Sequence, residues 1–102
     1  MASQQDKSKM AAQNIVRKTL TIKNRLGLHA RPAALLVQLT NTFASEITVE
    51  NNGQKVNGKS IMGLMMLAAA HNTKLIFEAC GKDSENAIKK IKELFDLKFH
   101  ED

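Results

Sequence analysis

At 102 residues the chain has room for one domain with a modest core and not for two. Its 43% hydrophobic and 25% charged residues describe a globular chain, and its single cysteine excludes an intrachain disulfide. A net charge of +5 suits an acidic partner, but four Phe with no Trp or Tyr leave little to stack on bases, so nucleic-acid binding is not expected.

Residues 1–18 are rich in Ser, Gln and Lys with little periodicity, and are expected to form a flexible or locally helical leader ahead of a domain over 19–102. Met10, followed by Ala11-Ala12, is a candidate second translation start. The leader has no apolar core of the kind a secretory signal carries, and no stretch of the chain reaches the roughly 20 apolar residues of a membrane span. A cytoplasmic protein without membrane insertion is therefore expected, and the lone Cys80 fits a reducing compartment.

From Thr19, Leu20 and Ile22 alternate with polar neighbours, the period of a half-buried strand. Asn24 to Leu28 read as a glycine-containing loop, and a helix over about Ala30 to Asn41 carries Ala33, Leu36, Val37 and Thr40 on one stripe, widened by Leu35 and Leu39. Phe43 should pack under its end. Glu46 to Glu50 alternate again with Ile47 and Val49 inward, Asn51-Asn52-Gly53 supplies a tight hairpin, and Gln54 to Asn57 pair back with Val56 inward.

Gly58-Lys59-Ser60 then breaks the strand, with Ser60 as N-cap of a helix from Ile61 to about Ala69 that is apolar on nearly every side. His71-Asn72 form a turn, Thr73 to Cys80 a strand with Leu75, Phe77 and Ala79 on one face, and Gly81 ends it. Asp83 or Ser84 caps a last helix, ending near Asp96 to Lys98, whose stripe is Ala87, Ile88, Ile91, Leu94 and Phe95. The order β-α-β-β-α-β-α predicts an α+β sandwich, an antiparallel sheet covered on one face by helices.

The candidate chemistry sits in Gly27-Leu28-His29-Ala30-Arg31-Pro32. Proline is tolerated in a first helical turn, so the helix starts at or near His29 and presents free N–H groups and a partial positive charge to any anion held on the imidazole. Arg31 adds a permanent planar cation on the same turn. Imidazole is a workable phosphate carrier because it titrates near about 6.5 and is nucleophilic when neutral. A helix start stabilises an anion by about 0.3–1 kcal/mol, and about 2 in favourable geometry, which biases transfer without trapping the group.

Ser60 is a second candidate, first as an N-cap and then as a phosphate acceptor whose added charge Lys59 and the helix dipole would stabilise. Ile61, Met62, Leu64, Met65 and Met66 are too many apolar residues for one side of a short helix. Most are expected in the core, with the surplus forming a methionine-rich docking patch. His71, His100 and Cys80 show no ligand spacing, so neither a metal nor a cofactor is expected.

The run Gly27 to Ala33, the run Asn57-Gly58-Lys59-Ser60-Ile61-Met62-Gly63-Leu64 and the Gly81-Lys82-Asp83 lead into the last helix resemble the histidine-containing phosphocarrier (HPr) family of the bacterial phosphoenolpyruvate-dependent phosphotransferase system. The resemblance covers about Thr19 to Leu97. It implies an open-faced β-sandwich of four antiparallel strands and three helices, and a monomeric relay rather than a self-sufficient enzyme. In such a relay His29 accepts a phosphoryl group on Nδ1 from enzyme I and passes it to an enzyme IIA, Arg31 steadies the group, and Lys59, Ile61, Met62, Leu64 and Met65 serve docking. It further implies that an HPr kinase/phosphorylase marks Ser60. The Ser60 to Ala69 run is also similar to the nitrogen-branch paralogue NPr, whereas Arg31-Pro32 is closer to the sugar branch, and His29 sets the chain apart from the paralogue Crh, which lacks that histidine.

Overall fold

Alternation of apolar and polar side chains puts Leu20, Ile47, Val49, Leu75, Phe77 and Ala79 on one face of a sheet, and all are buried. The structure is a computed structural model that describes residues 14–101, so most of the expected leader and the candidate start at Met10 lie outside the described residues. Its elements are β1 (Ile15–Thr21), α1 (Ala30–Thr40), β2 (Glu46–Asn51), β3 (Gln54–Asn57), α2 (Ile61–Met66), β4 (Lys74–Cys80) and α3 (Ser84–Asp96). Spatially the sheet runs β1-β4-β2-β3, every pair antiparallel. The expected open-faced sandwich is thus present, with α3 on β1 and β4, and α1 bridging α2 and α3.

The hairpin between β2 and β3 turns on Asn52 and Gly53, both at positive φ, as a two-residue turn between twisted strands requires. In the core, α3 lays Ala87, Ile88, Ile91 and Phe95 on the sheet, and Phe95 meets Phe77 edge-on at 5.4 Å. Thr40 closes α1 by donating its hydroxyl to the Gly58 carbonyl at 2.9 Å, which ties the end of α1 to the start of α2.

Four features differ from the expectation. β1 starts at Ile15, not Thr19, so residues 15–18 belong to the sheet rather than to the leader, paired from Ile15 opposite Cys80 to Lys18 opposite Phe77. Lys18 takes an inward register position but stays exposed at the sheet edge, and that lysine breaks the alternation. Helix α2 stops at Met66 because Ala68 turns left-handed (φ 48°), which no residue type there announces.

Asp83 occupies the N-cap position of α3 but does not cap it. Its carboxylate accepts instead from the amides of Ala44 and Ser45 and from the Ser45 hydroxyl, clamping α3 to the loop before β2. Finally, α3 is followed by a turn over Lys98–His100 that buries Phe99 against Phe95.

A second carboxylate fastens the other end of α3. Asp96 accepts from Lys92 at 2.7 Å and from Lys23, in the loop after β1, at 2.9 Å. These bonds, Lys92 first, hold its carboxyl down at about 2. A group depressed on folding contributes stability that is whole above the ordinary carboxylate value and drains as pH falls through the depressed one. Thermal melts between pH 5 and pH 2 should therefore show Asp96→Asn losing less stability on acidification than the wild type; equal slopes would contradict this role.

Candidate functional site

His29 is the N-cap residue of α1, with extended backbone angles (φ −88°, ψ −168°) and no capping bond from its side chain. The ring is free for other work. Two features place it. Gly27 sits at φ 77° with a Cβ position only 2.7 Å from the Ala69 carbonyl oxygen, so no larger residue fits without displacing the loop. The amide of Leu28 then donates to that carbonyl at 2.8 Å, and the amide of Ala33 to the His29 carbonyl at 3.0 Å. The amides of Ala30 and Arg31 open the helix with no acceptor inside it, and Pro32 brings none.

The ring's Nε2 lies 3.0 Å from Oε1 of Glu101, 72 residues away in sequence, and the side chain of His29 keeps 39% of its surface exposed. A carboxylate only accepts, so Nε2 must carry the hydrogen, and in the neutral ring Nδ1 then bears the lone pair. Among the described residues Nδ1 has no partner. The Glu101 carboxyl is held below its ordinary value by the hydrogen bond from His29, next by the amide of Asn24 at 2.9 Å, and less by the charges of His29 and Arg31. Arg31 is exposed on the first turn and makes no hydrogen bond or ion pair among the described residues.

Ser60 caps α2, its hydroxyl accepting from the Gly63 amide at 3.0 Å. No hydrogen bond joins it to the His29 group among the described residues, but the two helices that carry them pack together. Leu64 is corrected: it is wholly buried and belongs to the core, so it cannot dock. Lys59 is corrected too, since its ammonium donates to the Phe43 carbonyl at 2.7 Å and is not held free beside Ser60. The expectation that most of the α2 apolar residues are core also fails, because Ile61, Met62, Met65 and Met66 are all exposed, Met62 at 75%.

Three comparisons bear on this arrangement. The sequence model of the family described as "PTS HPr component phosphorylation site" matches residues 16–96. A Xylella fastidiosa phosphocarrier protein HPr is 46% identical over 83 residues, 81% of this chain and 93% of that protein. The chain belongs to the HPr phosphocarrier family. The solved structure of HPr-C-His from Thermoanaerobacter tengcongensis superposes with a TM-score of 0.82 at 47% identity, covering 85% of this chain and 98% of that one. An HPr-like protein Crh of Bacillus subtilis is 44% identical over 77 residues, 76% of this chain and 91% of its own.

The HPr family match ends at residue 96, before Glu101. Glu101 and Asn24 are the two site residues that the sequence reading missed. Neither stands in a motif, and the acidic pair Glu101-Asp102 carries no spacing that points to His29. His71 approaches the same loop, its Nδ1 3.2 Å from the Asn24 carbonyl, whereas His100 is exposed elsewhere. No three His, Cys, Asp or Glu side chains among the described residues are grouped to hold a metal. Leu64→Ala should lower unfolding free energy by about 2–5 kcal/mol in denaturant titration, and Met62→Ala by less than about 0.5. The reverse ranking would return Leu64 to the surface patch.

Proposed function

We propose that this chain is a phosphoryl relay of the phosphoenolpyruvate-dependent sugar phosphotransferase system, accepting the group on Nδ1 of His29 from enzyme I and giving it to enzyme IIA. The observation that carries the reading is the division of the ring: Nε2 is tied to Glu101 while Nδ1 is open beside the first turn of an 11-residue helix. In the transfer, the Nδ1 lone pair forms a bond to phosphorus as the donor's own bond to phosphorus breaks, and the Nε2 proton stays where Glu101 holds it. The oxyanion meets the positive end of α1 and the guanidinium of Arg31, which stabilise charge without covalent chemistry of their own.

The phosphate then leaves by the reverse step on the next partner, so the chain is consumed and regenerated and is no enzyme by itself. It works as a monomer in the cytoplasm, docking through Ile61, Met62, Met65 and the charge of Arg31. No helix among the described residues is long and apolar enough to cross a membrane. Ser60 is a regulatory acceptor for an HPr kinase/phosphorylase: its hydroxyl stands at the start of α2, directly before the exposed methionines, where a phosphate would change the docking face without opening the core.

The similarity to Crh favours a second reading, a regulatory binding protein governed by phospho-Ser60 in which His29 is used little. Incubation with phosphoenolpyruvate and enzyme I separates the two. The relay predicts an acid-labile, alkali-stable phosphate that disappears in His29→Ala, transfer slowed by roughly tenfold in Arg31→Ala with an unchanged melting temperature, and weaker enzyme I docking in Ser60→Asp. Absence of any phosphate on His29 would favour the regulatory reading, and a collapse of the Arg31→Ala fold would make that arginine structural.

A further inference from the structure

We propose that the C-terminal segment Leu97–Glu101 and Asn24 form a positioning latch that holds His29 in the ring tautomer whose Nδ1 lone pair is free. Its consequence for transfer rests on the relay reading above; the tautomer itself does not.

The segment is built at a cost in backbone conformation. Lys98, Phe99 and His100 lie at φ 55°, 54° and 62°, three successive non-glycine residues in the left-handed region. Such a run persists only where its surroundings fix it. Here the fixing is visible: Phe99 is buried to 1% exposure with its ring 4.9 Å from that of Phe95, and the amide of Glu101 donates to the Lys98 carbonyl at 3.0 Å. The turn reverses the chain after α3 and delivers the Glu101 carboxylate back to a ring at the other end of the sequence. Without the left-handed turn, the chain leaving α3 would not place Glu101 there.

Asn24 completes the device. It is wholly buried, and its single amide nitrogen donates both to Glu101 Oε1 at 2.9 Å and to the Gly27 carbonyl at 2.7 Å. One group thus sets the carboxylate and the loop that carries His29 against each other. The amide cannot be turned round, because its oxygen would then face a carboxylate and a carbonyl, acceptor against acceptor. The other side of that constraint is also present: Oδ1 of Asn24 is buried with no hydrogen-bond partner. A buried polar atom left unpaired is destabilising, and its retention fits a side chain whose orientation is dictated by what its nitrogen must hold.

A carboxylate enforces the tautomer because it has no proton to offer the ring; a carboxamide would keep its oxygen there, held by the Asn24 amide, whereas an alanine in its place has neither acceptor nor donor and enforces nothing. The test uses the full chain with ¹⁵N-labelled histidine, at a pH above the usual imidazole range. Ring-nitrogen shifts should report hydrogen on Nε2 in the wild type and a mixture of the two tautomers in Glu101→Ala, with the fold intact by amide spectra. Turnover as a substrate of enzyme I should fall about tenfold in kcat at unchanged KM, the value of one charge-assisted hydrogen bond. Asn24→Ala should shift the tautomer ratio in the same direction; because Asn24 is buried and that variant risks unfolding, the half-buried Glu101 decides the matter. An unchanged tautomer ratio together with an unchanged rate in Glu101→Ala would overturn the latch while leaving the relay intact. Failure of the wild type to take phosphate on His29 would instead overturn the relay, and the tautomer ratio alone would then judge the latch.

Discussion

One hydrogen bond, from Nε2 of His29 to the carboxylate of Glu101, organises the site. An imidazole has two chemically similar nitrogens, and a carrier that uses one of them must control the other. Most of what is unusual in the chain converges on that control: a left-handed turn of three ordinary residues, a phenylalanine buried to anchor it, an asparagine buried with half its amide unpaired, and a glycine pressed against a neighbouring carbonyl. The left-handed turn and the unpaired amide oxygen are locally unfavourable, and the buried phenylalanine offsets them. Together they place a half-exposed ring at the start of a helix with its other nitrogen open.

The sandwich beneath supplies rigidity rather than chemistry. Helix α1 is held at both ends, by the Leu28–Ala69 backbone bond beside its start and by Thr40 on the Gly58 carbonyl at its finish, so the two loops that carry His29 and Ser60 are braced by the same helix. Carboxylate contacts at the two ends of α3, Asp83 on the loop before β2 and Asp96 on Lys23, fix the helix whose continuation carries Glu101. A helix that shifted would move the carboxylate away from the ring. In the proposed relay the exposed methionines of α2 are the complement of this rigidity, since flexible thioether side chains fit more than one partner.

The order of elements and most of the core were legible because strand and helix periods differ and were cleanly written in Leu20-Ile22, Ile47-Val49, Leu75-Phe77-Ala79 and the α3 stripe. The reading failed where the determining contact is tertiary. Lys18 hid the first half of β1, since only an edge position lets a lysine face inward. Ala68 ends α2 by a left-handed turn that no residue type signals. At the candidate site, His29 and Arg31 were singled out by motif and helix-start chemistry, whereas Glu101 and Asn24 were not: their contacts with the ring and its loop depend on a chain reversal made by residues that ordinarily avoid it. Leu64 was misassigned because a helix that is apolar all round does not reveal which side is covered, and Lys59 because its bond to the Phe43 carbonyl is tertiary.

The most direct measurement is the identity of the ring nitrogen that carries phosphorus, read from phosphorus–nitrogen coupling in the ¹⁵N-labelled chain after reaction with enzyme I and phosphoenolpyruvate. The account predicts coupling to Nδ1 of His29, with Nε2 still protonated. Coupling to Nε2 would mean that the bond to Glu101 is given up during transfer, and would contradict the division of the ring from which the rest follows.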